Sequence, residues 1–185
     1  MIDWSLFQAS QGDFLLSEPT LSDENFARTV VLLVSKDEEG VLGFIMNRPL
    51  QLKFADLGED FQSFDAQVFE GGPVETNTLH YVHAFADLPG AQPLLEGVFW
   101  GGDFEMLKSR HAEWSPNTVR FFLGYSGWGV EQLEREIAER TWVVARGHKQ
   151  AVYYPNPERL WSHLIRSQGG EIAALANYPQ DPSWN

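Results

Sequence analysis

The sequence predicts an α+β domain with a strongly bent or divided sheet. Three observations carry that expectation. An apolar run, Thr29 to Ser35, turns at Asp37-Glu38-Glu39-Gly40 and returns over Val41 to Asn47, which reads as a hairpin. Later in the chain, strands are followed by helices, as in Val119 to Gly124 and then Glu131 to Arg140. The two patterns are segregated and do not alternate regularly, so a doubly wound parallel sheet is not expected. A length of 185 residues suits one domain spanning the chain, and no linker composition divides it.

The elements follow in order. Trp4-Ser5-Leu6-Phe7 reads as a short helix that docks by its aromatics, and Phe14 to Ser17 as a strand closed by Glu18-Pro19. Ser22-Asp23-Glu24-Asn25 is a helical turn whose side-chain oxygens cap free N–H groups. Thr29 to Ser35 is a strand buried on both faces. Arg48-Pro49 ends the returning strand, because proline lacks the N–H that a ladder needs. Phe54 to Phe61 is a weak helix, and Gln67 to Glu70 a strand running into Gly71-Gly72-Pro73. Leu79 to Phe85 and Val98 to Trp100 are strands, and Phe104 to Arg110 a helix. Thr141 to Arg146 and Ala151 to Tyr154 are strands. Asn156 and Pro157 open a helix that stops at Gly169-Gly170, with Ala173 to Ala176 extending it. Val68-Phe69-Glu70-Gly71-Gly72 echoes Val98-Phe99-Trp100-Gly101-Gly102, which suggests two strand ends making the same turn.

Composition narrows the function classes. Thirteen Lys and Arg against 26 Asp and Glu leave a formal net charge of −13. That field repels phosphate backbones and anionic lipid headgroups, and no run of Lys or Arg offsets it. Direct nucleic-acid binding and membrane attachment are therefore not expected. The chain has no cysteine, which removes disulfides, thiolate nucleophiles and Cys-based zinc sites. The N-terminal residues do not read as a signal peptide, so a soluble cytoplasmic protein is expected.

The stretch Gly124-Tyr125-Ser126-Gly127-Trp128-Gly129 invites chemical readings. A nucleophile elbow needs glycine where Trp128 stands. A dinucleotide fingerprint needs glycine where Gln132 stands, and the following helix opens with Glu131 and Glu134, which repel phosphate. The stretch reads instead as a glycine-built corner between a strand and a helix. Val130, Leu133 and Ile137 supply that helix's apolar face, and Glu131–Arg135 and Glu136–Arg140 are spaced to pair along it. His80 and His83 stand on opposite faces of a strand, so they do not make a metal pair. No catalytic residue, metal site or cofactor is assigned. The candidate ligand-binding residues are Asn47, Arg48, Glu70, Ser126 and Trp128, at polar and glycine-rich strand ends where clefts form. Arg48 is expected to pair with an acid such as Glu70.

Four stretches together resemble the AlgH/YqgE family. They are Gly12 to Ser17, Gly43-Phe44-Ile45-Met46-Asn47-Arg48-Pro49, Glu70-Gly71-Gly72-Pro73-Val74 and Gly124-Tyr125-Ser126-Gly127-Trp128-Gly129. The resemblance covers essentially the whole chain. It departs from the family pattern at Ser35-Lys36-Asp37, where members often carry a histidine, and at Glu131, where they often carry glycine. The resemblance implies a bifurcated sheet folded into a pseudo-barrel and a bacterial cytoplasmic protein labelled a transcriptional regulator. It implies no agreed catalytic residues. With the charge balance, the expected role is non-enzymatic, regulatory or interaction-based, through an unknown protein or small-molecule partner. The alternative is a small-molecule or anion binder, or an enzyme, with a cleft where Asn47-Arg48, Glu70-Gly72 and Ser126-Trp128 converge.

Overall fold

The computed structural model describes residues 8–61 and 64–179, and the helix expected over residues 4–7 lies outside them. Among the described residues, ten strands form one branched sheet. In chain order they are β1 (Phe14–Ser17), β2 (Val30–Lys36), β3 (Val41–Ile45), β4 (Pro49–Lys53), β5 (Gln67–Glu70), β6 (Val74–His83), β7 (Gln92–Leu95), β8 (Val98–Trp100), β9 (Val119–Trp128) and β10 (Trp142–Ala145). Five helices flank it: α1 (Phe104–Ser109), α2 (Val130–Ala138), α3 (Lys149–Val152), α4 (Pro157–Ser167) and α5 (Gly170–Ala174). The strand order is β10-β1-β2-β3-β9-β6-β8-β7, and β4-β5 branches from β9.

The branch is built on β9. Its first half pairs in parallel with β5, through Val68–Phe121, Phe69–Phe122 and Glu70–Leu123. Its second half pairs antiparallel with β3, through Gly43–Ser126, Leu42–Gly127 and Val41–Trp128. The change of partner falls at Gly124, in the left-handed region at φ +71°. There the Gly71-Gly72 backbone crosses β9 at a distance no side chain permits. A Cβ on Gly71 would sit 2.1 Å from the Gly124 oxygen, and one on Gly72 would sit 2.3 Å from the Tyr125 carbonyl. Two of the quoted glycine motifs thus need glycine because they touch each other.

The bend encloses one core and leaves two outer faces for helices to cover. Phe14, Leu32, Phe44, Phe69, Val82 and Phe122 project inward against Trp161, Leu164 and Ile165 of α4. Alternate residues Leu15, Val31, Leu33 and Ile45 face outward under Leu133 and Ile137 of α2. Phe54, Tyr81, Val119 and Phe121 form a third cluster with Leu107 of α1. So β2 is buried on both faces, as its unbroken apolar run predicts. The sheet stays open. Near its ends, the Gln11 amide donates to the Pro93 carbonyl at 2.9 Å, one side-chain link and not a ladder.

Several expectations need correction. Gly124 to Trp128 is not a corner: β9 runs through it, and the turn is Gly129 alone at the start of α2. Its exchange of one partner strand for another supplies the hydrogen bonds that keep it extended. The returning strand does end, at Ile45, ahead of Arg48-Pro49, but Pro49 itself starts β4, an edge strand where a missing N–H is tolerated. Pro93 in β7 sits on the outermost strand for the same reason. Ala151 to Tyr154 is not a strand. The His148 ring nitrogen Nδ1 accepts from the Ala151 N–H and caps α3 instead. Phe54 to Phe61 forms two 3₁₀ turns, Phe54–Leu57 and Glu59–Phe61. The two Val-Phe-x-Gly-Gly segments do not make the same turn. One runs into β6 and the other into α1, and Gly101 is left-handed whereas Gly71 is not.

The crossing makes a testable contrast. Gly71→Ala should lower stability by at least about 2 kcal/mol, because backbone blocks the new methyl. Gly101→Ala meets open space and should cost only the left-handed backbone strain, about 1 kcal/mol. Urea unfolding midpoints of the two variants check this.

Candidate functional site

The five residues marked in the sequence divide between two places. Asn47, Arg48, Glu70 and Ser126 gather around the fork in the sheet. The Asn47 amide oxygen accepts from the Val30 N–H at 2.8 Å, and its NH₂ donates to the Arg28 carbonyl at 2.9 Å. Arg48 forms the expected ion pair with Glu70, at 3.7 Å, and also donates to the Glu24 carbonyl at 2.8 Å. Ser126 is fully buried, and its hydroxyl donates to the Gly71 carbonyl at 3.2 Å. Trp128 lies apart, under α2. Its indole N–H donates to Glu136 at 3.0 Å, and the same carboxylate oxygen accepts the Trp142 indole N–H at 2.8 Å. Phe26 and the two indoles pack together there, partly edge to face.

A cleft opens beside the fork, with a volume of about 400 Å³. None of the five residues lines it, although Pro49 and Phe69, neighbours of Arg48 and Glu70, do. Its inner wall holds Arg120, a side chain that the sequence reading passed over. Arg120 is 4% exposed. Its guanidinium donates to the Met46 carbonyl at 3.2 Å and the Tyr154 carbonyl at 2.5 Å, and lies over the Phe69 ring at 4.9 Å. Among the described residues, no carboxylate forms an ion pair with it. Burial pulls its pKa down to about 10. The signal was present in the sequence: one arginine inside the apolar run Val119-Arg120-Phe121-Phe122-Leu123. An isolated charge in a strand otherwise destined for the core requires an explanation.

Trp114, Pro116, Tyr154 and Pro155 supply apolar walls. The polar wall residues are committed elsewhere. The Gln67 NH₂ donates to the carbonyls of Leu50 and Val68. The Ser115 hydroxyl is bonded to the Thr118 hydroxyl and accepts from the Asn117 N–H. Arg120 is a buried donor with capacity left, since two of its five N–H groups are used in these bonds.

His80 and His83 do stand on opposite faces of β6, packing against Phe44 and Phe99 respectively. His83 is fully buried and neutral. Its Nδ1 accepts from the Phe85 N–H, so Nε2 carries the hydrogen that meets the Gly101 carbonyl at 2.9 Å. The His80 Nε2 is buried without a partner among the described residues. Among those residues no group of three or more His, Asp or Glu is placed to hold a metal ion.

The AlgH-like family model matches residues 14–173 of this chain. The chain belongs to the AlgH-like family. Curated relatives carry the family label UPF0301. One from Chlorobium limicola is 40% identical over 177 residues, covering 94% of this chain and 95% of the relative. One from Bacteroides fragilis is 38% identical over 179 residues, covering 95% and 91%. The solution structure of AlgH from Pseudomonas aeruginosa matches with a TM-score of 0.70 and 26% identity, over 94% of this chain and 98% of that one. A Corynebacterium diphtheriae crystal structure matches with a TM-score of 0.78 at 20% identity, over 93% and 94%. That likeness is one of fold. The bifurcated, bent sheet that the resemblance implied is present in this chain.

The histidines give this AlgH-like protein a pH dependence. Burial lowers the pKa of both His80 and His83 below the ordinary 6.5. As pH falls, the unfolded chain takes up these protons before the folded chain does. Stability is therefore fully present above about pH 6.5 and declines below it. Urea midpoints measured across that boundary should show the decline, and His83→Gln should reduce it.

Proposed function

We propose that this AlgH-like protein is a bacterial cytoplasmic regulatory or interaction protein that works through a protein partner or small ligand and does not itself grip nucleic acid. The carrying observation is how its cations are used. Arg110 lies between Asp87 and Glu113, at 2.7 and 2.9 Å, and over the Phe85 ring. Lys53 pairs with Asp65, Lys108 with Glu105, Lys36 with Glu134, Arg146 with Asp13 and Arg48 with Glu70. Arg28 is turned onto the Trp161 ring and the Tyr178 carbonyl, and Arg120 is buried. Nucleic-acid affinity comes largely from cations that neutralise phosphates and release counterions. Here eight of the 13 Lys and Arg already face acids or carbonyls, on a chain of net charge −13. Any effect on transcription is therefore indirect. Among the described residues, no helix is long and apolar enough to cross a membrane.

The alternative, a protein that holds a small anion, is supported by the cleft beside the fork, with Arg120 on its wall. The two readings are compatible, because a ligand can be the input to a regulator.

A gel-shift series against genomic fragments tests the reading. At physiological salt, binding should be no tighter than about 10⁻⁴ M and should show no sequence preference. A specific complex that survives raised salt would overturn it.

A further inference from the structure

The Arg120 cleft has features that narrow its occupant. A single positive charge sits at its inner wall, nearly out of water and without a counterion among the described residues. The Met46 and Tyr154 carbonyls solvate that charge but do not neutralise it. An unneutralised buried cation is a costly arrangement, and an incoming anion relieves it. The guanidinium fork matches two coplanar oxygens at one charge, which is the shape of a carboxylate.

Other ligand classes fit less well. A phosphate monoester brings about −1.5 to −2 charges. Here it would face one cation, with Asp65 on the lining already neutralised by Lys53 and a chain of net charge −13 around it. A sugar needs several free donors and acceptors, but the Gln67 and Ser115 side chains are committed to neighbouring groups. The remaining walls are flat and largely apolar: Trp114, Pro116, Pro155 and the ring of Tyr154, whose hydroxyl is a single polar group. A volume of about 400 Å³ admits a compact ring system but lies near the small end of ligand pockets.

We propose that the Arg120 cleft is a binding site for an aromatic monocarboxylate, its carboxylate on the Arg120 guanidinium and its ring between Trp114, Pro116 and Tyr154. The site is defined by its own geometry and stands whether or not the protein is a regulator. The proline walls have little conformational freedom to lose, which lowers the ordering cost of binding.

Calorimetry and ¹⁵N NMR of the whole chain test it, with phenylacetate and indole-3-acetate as probes. Phenylacetamide, phenyl phosphate and inorganic phosphate are the comparisons. Saturable binding of the acids is expected, with Kd of about 1 mM or tighter. The Arg120 Nε–H and Trp114 indole N–H resonances should move, and the amide and both phosphates should bind at least about tenfold more weakly. Arg120→Met should weaken the acids by about 10- to 100-fold, and Arg120→Lys should recover part of the loss. No saturable response, equal binding of the amide, tighter binding of either phosphate, or shifts confined to another surface would each overturn the proposal. So would undiminished binding by a folded Arg120→Met variant. Should that variant fail to fold, the acid-to-amide ratio and the mapped resonances of the wild-type protein decide the matter.

Discussion

One carbonyl oxygen, that of Gly71, organises the fork in the sheet. It accepts the Ile45 N–H at 2.9 Å and the Ser126 hydroxyl at 3.2 Å, while the Gly71 N–H donates to the Leu123 carbonyl at 2.8 Å. Three strands are joined at one residue: the end of β5, the end of β3 and the middle of β9. The joint requires backbone to lie on backbone, so glycine is the residue that serves at 71, 72 and 124. Because β9 leaves β5 and takes up β3 there, the sheet must divide and bend. The enclosed core under α4 follows from that bend.

The fork also sets the floor of the cleft. Met46, whose carbonyl holds Arg120, follows Ile45 directly, and Phe69 beneath the guanidinium pairs with Phe122 in the parallel ladder. Arg120 stands two residues before Phe122 on the same face of β9, so the strand that defines the branch also aims the buried charge. Stability and the shape of the proposed site thus draw on the same few residues. The residues that look most chemical in the sequence, Ser126 and Arg48, hold this frame together. The residue with free capacity is one that the frame buries.

A second joint seats α2. One Glu136 oxygen accepts two indole N–H groups, from Trp128 at the end of β9 and Trp142 at the start of β10. The Gln132 side chain donates to its other oxygen at 2.9 Å. A carboxylate placed this way satisfies two buried indoles that would otherwise each cost a lost hydrogen bond. It also fixes the angle at which α2 leaves Gly129 and covers the outer face of β2 and β3. The tertiary fold turns that carboxylate toward the two indoles.

Much of the frame was legible in the residues alone. Continuous apolar runs determined β2 and its hairpin partner, because a strand buried on both faces cannot alternate with polar residues. Gln67 to Glu70 and Val98 to Trp100 declared themselves by β-branched and aromatic residues ended by glycine pairs. The opposite facing of His80 and His83 follows from strand period alone. The Arg48–Glu70 pair was foreseeable from two polar strand ends, and the AlgH-like pattern from four short motifs in order. Tertiary structure decided the rest. A proline reads as a stop until an edge without a partner excuses its missing N–H, as at Pro49 and Pro93. Glycines in Gly124-Tyr125-Ser126-Gly127 read as a turn until a second chain segment, far away in sequence, supplies the bonds that keep them extended. Arg120 reads as one charge among many until the bend encloses it. Local preference is written residue by residue, but close approach between distant segments is written only in the fold.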